Sequence, residues 1–305
     1  MFIIKYKKIF VGISIALVIL AIGALAYFGL NVGIDFKGGA LTEVAYTAAR
    51  PAQADLNLAP LNIGEVLVQP TGDTGYIIKS RDISDAEHAA LLKVLSKDGA
   101  FPLEEKGFNS IGPSVGHELT RKAIVAGILV SLAIILFIAY AFRKVSKPVS
   151  SWRYGIIAII TLLHDVAIPV GIFAILSHYY GAEMDTLFVV AVLTVLGLSI
   201  SDTIVVFDRI RENLKNQANV AKTQFAEIVG MSLKQSYVRS ICTSLTVILV
   251  LLSLFFYGPV STKYFALMMT AGMFFGTYSS IFLASPLLVI IEEAQAKKAA
   301  SKKSK

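Results

Sequence analysis

The chain has 305 residues, of which 55 % are hydrophobic and only 16 % are charged, and its formal net charge is +7. Soluble globular domains carry about 25 % charged residues. The composition, with a mean hydropathy of +0.69, therefore excludes an ordinary soluble domain and indicates a membrane protein. The net charge is positive, but the sequence shows no nucleic-acid-binding pattern, so we expect no nucleic-acid partner. Basic residues beside a membrane instead set its topology and contact anionic lipid.

Six apolar runs are long enough to cross a bilayer as helices, which takes about twenty residues each. The first run ends near "ALAYFG", which resembles a signal-peptide cleavage site, but its length predicts an uncleaved helix. The predicted spans are Ile9–Phe28, Ile124–Phe142, Tyr154–Leu176, Leu187–Phe207, Ile241–Tyr257 and Tyr264–Ile291.

The positions of Lys and Arg predict that both termini face the cytoplasm, because positive residues are retained on that side. The basic clusters are the N-terminus (Lys5, Lys7, Lys8), the loop with Arg143, Lys144, Lys147 and Arg153, the loop from Arg209 to Arg239, and the tail "KKAASKKSK". We therefore predict a cytoplasmic N-terminus with the first helix (1–29), an exterior domain (30–122), five further helices (123–291) and a basic cytoplasmic tail (292–305).

The polar segment between the first two spans predicts a small α+β domain. Its clearest helix is "SDAEHAALLKVLSKDG", because Ser84 and Glu87 form a capping box and Gly99 ends the pattern. "PAQADLNL" predicts a weaker, earlier helix. Strands are predicted at Ala40–Thr47, Ile63–Gln69, Gly75–Ser80 and within "FPLEEKGFNSI". The order β-α-β-β-α-β indicates a ferredoxin-like domain.

Ionisable side chains lie inside the apolar runs, where each costs about 2.5–3.5 kcal/mol on insertion scales and is by default a functional candidate. Asp165 lies midway along the third run beside His164, in "LLHDVAIP". Asp202 lies in the inner part of the fourth run, and Arg239 begins the fifth from the cytoplasmic side. At about 1.5 Å per residue, Asp202 and Arg239 reach similar depths, which predicts an ion pair between them.

Small and hydroxylic residues surround both members of this pair, which favours close helix packing and bound water. They are Gly197, Ser199, Ser201, Thr203, Ser240, Thr243, Ser244 and Thr246. Two interpretations stay open: a static salt bridge that locks two helices, or a carboxylate that gains and loses a proton as Arg239 moves. For His164 and Asp165 the alternatives are a second proton station and a polar pair that only packs helices.

Four motifs resemble those of the SecD/SecF family of protein-export membrane proteins. They are "GIDFKGG" (Gly33–Gly39), "IGPSVGHEL" (Ile111–Leu119), "SISDTIVVFDRIREN" (Ser199–Asn213) and "SYVRSICTSLT" (Ser236–Thr246). They stand in the family's order along nearly the whole chain. The resemblance implies a multi-pass subunit of the bacterial inner membrane that pairs with SecD in an assembly similar to resistance–nodulation–division pumps. It also implies that the pair uses the proton-motive force to help the SecYEG channel and SecA move preproteins.

By this resemblance, Asp202 and Arg239 match the family's functional intramembrane acid and base. The glycine pair of the first signature is either a hinge or a plain tight turn. The signature residues are Gly33, Asp35, Gly38 and Gly39.

Two other functions stay open: one half of a proton-driven small-molecule or lipid exporter, and a purely structural clamp on a channel. The chain has no G-x-x-x-x-G-K-[ST] loop, so we expect neither nucleotide binding nor an ATPase activity of its own. We expect no other cofactor and no metal, only the proton gradient.

Overall fold

The computed structural model describes residues 2–141, 151–216 and 225–303. The chain forms two compact units: Met1–Asn31, Gly127–Ala182 and Leu187–Lys305 make up the first, and Val32–Ala126 with Glu183–Thr186 make up the second. We call them the helical unit and the sheet unit. Each is stabilised by its own set of contacts, and each is described separately below.

Ten helices and six strands occur in the described residues. The helices are α1 (Phe2–Lys5), α2 (Lys7–Phe28), α3 (Ile34–Lys37), α4 (Asp85–Leu95), α5 (Pro113–Ala141), α6 (Ser151–Tyr180), α7 (Thr186–Asn216), α8 (Phe225–Tyr257), α9 (Lys263–Ser279) and α10 (Ser285–Lys303). The strands are β1 (Asn31–Val32), β2 (Gly39–Tyr46), β3 (Leu67–Thr71), β4 (Gly75–Ser80), β5 (Leu103–Ile111) and β6 (Glu183–Met184).

Six helical segments of the described chain are long and apolar enough to cross a membrane, as the sequence predicts. They correspond to α2, α5, α6, α7, α8 and the continuous segment from α9 to α10. A five-residue π-helical stretch, Ser280–Ala284, joins α9 to α10 without interrupting the helix. A stretch of this kind inserts an extra residue into the turn and occurs frequently at functional sites.

Three predicted helix boundaries are wrong. The loop predicted from Arg209 to Arg239 is largely helical, because α7 continues to Asn216 and α8 begins at Phe225. Helix α5 starts at Pro113, eleven residues before the predicted span. Polar residues can continue a helix beyond an apolar run, so hydropathy marks the membrane-embedded part and not the helix ends. The predicted end at Phe142 and the basic residues Arg143, Lys144 and Lys147 lie outside the described residues.

The helical unit is held together by α2 against α6, α6 against α9, and α8 against α9. Ala21 of α2 packs directly on Gly171 of α6, where a Cβ atom added to the glycine would lie 2.6 Å from Ala21 Cα. The core includes Tyr154 and Phe207, whose rings meet edge-on at 5.2 Å. Contacts between small residues, such as Ala21 and Gly171, bring helix backbones close together in a membrane protein.

The sheet unit contains an antiparallel four-stranded sheet with the strand order β3-β4-β2-β5. In the central pair, Thr42 lies opposite Ile78, and Thr42 also lies opposite Phe108 of β5. Helix α4 covers one face and buries Leu91 and Leu95 completely. These two leucines complete the core that begins with Val44 and Ile78.

The first predicted helix of this domain is wrong. "PAQADLNL" forms only a 3₁₀ turn at Gln53–Asp55, and a second such turn follows at Ala59–Leu61. Pro51 precedes the first turn and Pro60 lies within the second, and neither can donate a backbone hydrogen bond to a longer helix. The strand order is compatible with a ferredoxin-like domain, but with one α-helix instead of two that assignment stays a prediction.

The predicted capping box at the start of α4 is confirmed. The backbone N–H of Glu87 donates to the Ser84 hydroxyl, and the Glu87 carboxylate accepts from the backbone N–H of Ser84. Arg81 also donates to this carboxylate, and its hydrogen bond is the main reason that the pKa of Glu87 falls to about 2. Glu87 is therefore ionised at neutral pH and favours the start of α4.

Candidate functional site

Asp165 is completely buried and hydrogen-bonded on both carboxylate oxygens. Its Oδ1 lies 2.7 Å from Nδ1 of His164, the residue before it on α6. Its Oδ2 accepts hydrogen bonds from the hydroxyl of Ser199 on α7 and from the hydroxyl of Ser279 on α9, the latter at 2.7 Å. One carboxylate therefore joins three of the long helices, and His164 is the ionisable group that contacts it.

Asp202 lies one turn further along α7 than Ser199 and has a different environment. The Ser240 hydroxyl of α8 donates to its Oδ1 at 2.5 Å. The Ser280 hydroxyl lies beside the same carboxylate, but it donates to the carbonyl oxygen of Gly276. Oδ2 of Asp202 is buried without a hydrogen-bond partner. This carboxylate is only half-buried, and half of its hydrogen-bonding capacity is unused.

Hydroxyl groups fill the space between the two carboxylates. Thr203 and Ser280 share a hydrogen bond of 2.9 Å, and the Thr203 hydroxyl also reaches the carbonyl oxygen of Ser199 at 3.4 Å. Ser279 and Ser280 are consecutive, and each lies beside a different carboxylate. Hydroxyls of α7 and of the turn at Ser279 and Ser280 therefore lie beside both carboxylates, and hydroxyls of this kind can both donate and accept.

The predicted ion pair between Asp202 and Arg239 is absent from the described structure. Neither oxygen of Asp202 is bonded to Arg239, because Oδ1 accepts from Ser240 and Oδ2 has no partner. Consecutive residues of a helix point about 100° apart. Since Ser240 faces Asp202, the preceding Arg239 falls on the exposed side of α8. Arg239 is next in the chain to Ser240, which contacts Asp202, but the two charged groups are not in contact.

The other small and hydroxylic residues predicted to surround Asp202 and Arg239 divide into a buried group and an exposed group. Ser199, Thr203, Ser240 and Ser244 are buried. The Ser244 hydroxyl forms a hydrogen bond with Thr277 of α9. The residues on the outer side of α7 and α8 are exposed: Gly197, Ser201, Thr243 and Thr246.

The "GIDFKGG" signature forms a rigid corner within the sheet unit. The Asp35 carboxylate accepts a hydrogen bond from the backbone N–H of Thr186 at 2.8 Å, and the Gly33 N–H donates to the Met184 carbonyl at 2.9 Å. Gly38 and Gly39 have φ angles of 80° and 144°, which side chains rarely adopt. A Cβ atom on Gly39 would lie 2.8 Å from the Ser80 carbonyl oxygen. These contacts explain the glycines as a tight turn, and the hinge interpretation stays a prediction.

Sequence reasoning missed Ser279 and Ser280. Both lie in the sixth apolar run, in "GTYSSIF", where a pair of serines among apolar residues was the available signal. Their importance depends on which way they face, and the π-helical stretch that begins at Ser280 has no reliable sequence pattern. In the described part of the chain, no group of three or more His, Cys, Asp or Glu residues is placed to hold a metal ion.

Comparisons with known proteins identify relatives over nearly the whole chain. The protein is 44 % identical to the protein translocase subunit SecF of Thermobaculum terrenum, over 94 % of this chain and 92 % of that one. It is 36 % identical to the SecF subunit of Anaerolinea thermophila, over 95 % and 93 % of the two chains.

Solved structures agree. The crystal structure of SecDF from Thermus thermophilus, described as a translocon-associated membrane protein, matches 95 % of this chain with a TM-score of 0.79 and 30 % identity. This chain spans only 38 % of that longer SecDF chain. A second SecDF structure, in a super-membrane-facing form, matches 98 % of this chain with a TM-score of 0.69.

The model of the family described as "Protein export membrane protein SecD/SecF, C-terminal" matches residues 92–294, more than half of the chain. That match contains both carboxylates and every long helix except α2. With six helices long enough to span a bilayer, the chain is a multi-pass membrane protein, and it belongs to the SecD/SecF family of protein-export membrane proteins.

Proposed function

We propose that this chain is a SecF-type subunit of the protein-export machinery, which couples proton movement through the membrane to preprotein translocation. The observation that carries the proposal is the Asp202 carboxylate, which has one oxygen without a partner and lies one turn of α7 from Ser199, a donor to Asp165. The curated relatives that match over almost their full length are named translocase subunits, which favours this function over a small-molecule or lipid exporter.

The chemistry follows from the environment of the two carboxylates. An ionised carboxylate in a low-dielectric region is stable only when charges or hydrogen bonds compensate for the lost water. Asp202 receives one hydrogen bond, so it needs a proton or an additional partner. Arg239 lies on α8 immediately before Ser240. A change in the packing of α8 would bring the charge of Arg239 to the Asp202 oxygen that has no partner. Binding and release of a proton at Asp202 would then alternate with approach and withdrawal of Arg239.

The exposed charge on α8 supports a protein partner at this face. Arg239 and the neighbouring Thr243 and Thr246 are exposed where the apolar part of α8 begins. A charged side chain in contact with lipid is costly, so such residues usually face protein or a hydrated cavity. We assign this face to a SecD subunit, because the SecDF chain that this protein resembles is more than twice as long.

The remaining partners and the orientation follow from the same assignment. The basic segments favour a cytoplasmic position for both termini and an outer position for residues 30–122 at a bacterial inner membrane. The pair would act on preproteins at the SecYEG channel after SecA has used ATP, and the chain itself would bind no nucleotide and catalyse no reaction. Membrane lipid would surround the other exposed apolar faces.

Translocation into membrane vesicles that contain SecYEG, SecA, SecD and this chain tests the proposal. Asp202→Asn should leave the complex assembled but abolish the extra translocation caused by a proton gradient. The matched control is Asp208→Asn, the same substitution on an exposed residue of α7 that pairs with Arg211. If Asp202→Asn retained the full response to the gradient, the proposed coupling would be wrong.

A further inference from the structure

Three buried polar atoms near Asp165 have no hydrogen-bond partner in the described structure. They are Nε2 of His164, the hydroxyl of Tyr278 and the hydroxyl of Ser14. His164 and Ser14 are 2 % and 1 % exposed. Buried polar atoms are nearly always bonded to protein or to ordered water, so three unpartnered atoms in one region indicate a ligand if they converge. Their positions on α6, α9 and α2 show that they do.

Helix α2 places Ser14 at the level of His164. Ser14 and Ala21 are the buried residues of α2, and seven residues make about two turns, so both face the same side. Ala21 packs on Gly171 of α6. Further along both helices, the backbone N–H of Asn31 donates to the Ser177 hydroxyl at 2.8 Å. Helices α2 and α6 therefore run in the same direction. Ser14 lies seven residues before Ala21, and His164 lies seven residues before Gly171, so Ser14 and His164 lie at the same level.

A stack of aromatic rings independently brings Tyr278 to this layer. The His164 and Tyr278 rings are nearly parallel, with centroids 6.2 Å apart. Tyr278 stacks on Phe282 at 5.1 Å, and Phe282 contacts Phe10 of α2 at 4.8 Å. Phe10 precedes Ser14 by four residues and lies on the same face of α2. Ser14, His164 and Tyr278 thus lie at one level of three neighbouring helices.

The chemistry of the three groups matches one water molecule. A buried water typically has two to four polar partners. The two hydroxyls can donate or accept, and Nε2 is the ring nitrogen of His164 left available, since Nδ1 is bonded to Asp165. Protein donors and acceptors of this type would hold a water against the side of the imidazole opposite the carboxylate.

We propose that Ser14, Tyr278 and Nε2 of His164 bind a buried water that delivers protons to Asp165 through the imidazole ring. This inference rests on the proposed proton coupling and adds its second station. When the water carries an excess proton, that proton moves to Nε2 while the Nδ1 proton moves to Oδ1 of Asp165. The water is then neutral, the carboxyl group is neutral, and the imidazole keeps one hydrogen, now on Nε2. Ser14 and Tyr278 are positioning residues, because they orient the water and do not exchange the proton with Asp165.

Nitrogen-15 NMR of the ring of His164 in the SecD complex tests the water site without relying on transport. The resonance is assigned by its loss in His164→Gln. We expect the Nε2 signal of the wild type to show a hydrogen bond, and we expect Ser14→Ala and Tyr278→Phe each to shift it. The controls are Tyr264→Phe, whose hydroxyl donates to the Tyr180 carbonyl, and Ser253→Ala, whose hydroxyl donates to the Leu249 carbonyl. Neither should change the signal.

The same variants, tested in the vesicle assay, separate this inference from the proposed function. Ser14→Ala and Tyr278→Phe should reduce gradient-driven translocation several-fold and leave translocation by SecA alone unchanged. An unshifted Nε2 signal in both variants overturns the water site, as does wild-type coupling in both. If that coupling persists while Asp202→Asn abolishes it, only the water site fails. If Asp202→Asn is also silent, the proposed function fails with it.

Discussion

Asp165 and Asp202 are two carboxylates within one hydrogen-bonded layer, yet they differ in almost every contact. Asp165 is completely buried and receives hydrogen bonds from His164, Ser199 and Ser279. Asp202 is half-buried, receives one hydrogen bond from Ser240, and has an oxygen without a partner. The first site is complete within this chain, and the second is not.

This difference separates two roles that the sequence alone could not distinguish. Both oxygens of Asp165 have hydrogen-bond partners, and its Oδ2 joins α6 to α7 and α9, so Asp165 stabilises the helix arrangement whatever else it does. Asp202 can accept a proton or a cationic side chain at little cost to existing contacts. We therefore expect substitutions around Asp165 to affect stability first, and substitutions around Asp202 to affect function first.

Asp165→Ala should have the largest effect on stability. It removes the acceptor for three buried groups, and breaking a buried charged pair costs about 3–5 kcal/mol. Thermal unfolding of the purified complex in detergent measures the loss. Asp208→Ala, at an exposed position of α7, is the control and should be nearly neutral. A wild-type melting temperature for Asp165→Ala would contradict the structural role of this residue.

Ser199→Ala should come next. It removes one of the two hydroxyl donors to Oδ2 of Asp165 but leaves Ser279 in place, so we expect a loss of about 1–3 kcal/mol, as for a buried hydrogen bond to a charged group. The unfolding measurement should place it between Asp165→Ala and the wild type. The double variant Ser199→Ala with Ser279→Ala should lose more than the sum, because the last donor to Oδ2 is then gone. Simple additivity would indicate that the two donors act independently.

Ser240→Ala should destabilise the protein less, by about 0.5–1.5 kcal/mol, because Asp202 is partly accessible and has a single donor. Its functional effect should be larger than its effect on stability, since the substitution leaves Asp202 without any fixed partner. Unfolding and gradient-driven translocation measured on the same preparation compare the two. If Ser240→Ala lost stability but kept full coupling, the functional contrast between the two carboxylates would be wrong.

Glu87 is a third carboxylate for this comparison. It lies in the sheet unit and is partly exposed. Its pKa of about 2 lies below the ordinary glutamate value of 4.5, so its contribution to stability is present above pH 4.5 and decreases as the pH falls towards 2. We expect Glu87→Gln to increase hydrogen exchange in the first turn of α4 slightly at pH 6. Near pH 2 we expect the exchange of the variant to match that of the wild type. Hydrogen exchange of this turn, compared between the two proteins at each pH, measures the difference. Glu104→Gln, on strand β5, is the control and should leave the turn unchanged at both pH values.

The sequence predicted elements whose signals are local. The six spans, the capping box of Ser84 and Glu87, and the two buried acids all follow from a composition or spacing that a few residues determine. The start of α5, the end of α7 and the start of α8 did not follow, because these polar extensions of the helices carry no hydropathy signal. The direction in which Arg239 points depends on the phase of α8 relative to α7, which is decided by packing between distant segments.

The hydroxyl layer was only half predictable for the same reason. Ser199 and Thr203 are close in sequence to Asp202, and Ser240 directly follows Arg239, so they were found. Ser279 is 114 residues from Asp165 in the chain, and only the folded helices bring the two together. A serine in an apolar helix often bonds to its own backbone, so its type alone does not reveal a role.

The π-helical stretch at Ser280–Ala284 has a mechanical consequence. Two neighbouring serines, one bonded to Asp165 and the other beside Asp202, are carried by a single turn of one helix. A rotation of that turn would therefore alter the surroundings of both acids together, through two side chains that are one peptide bond apart.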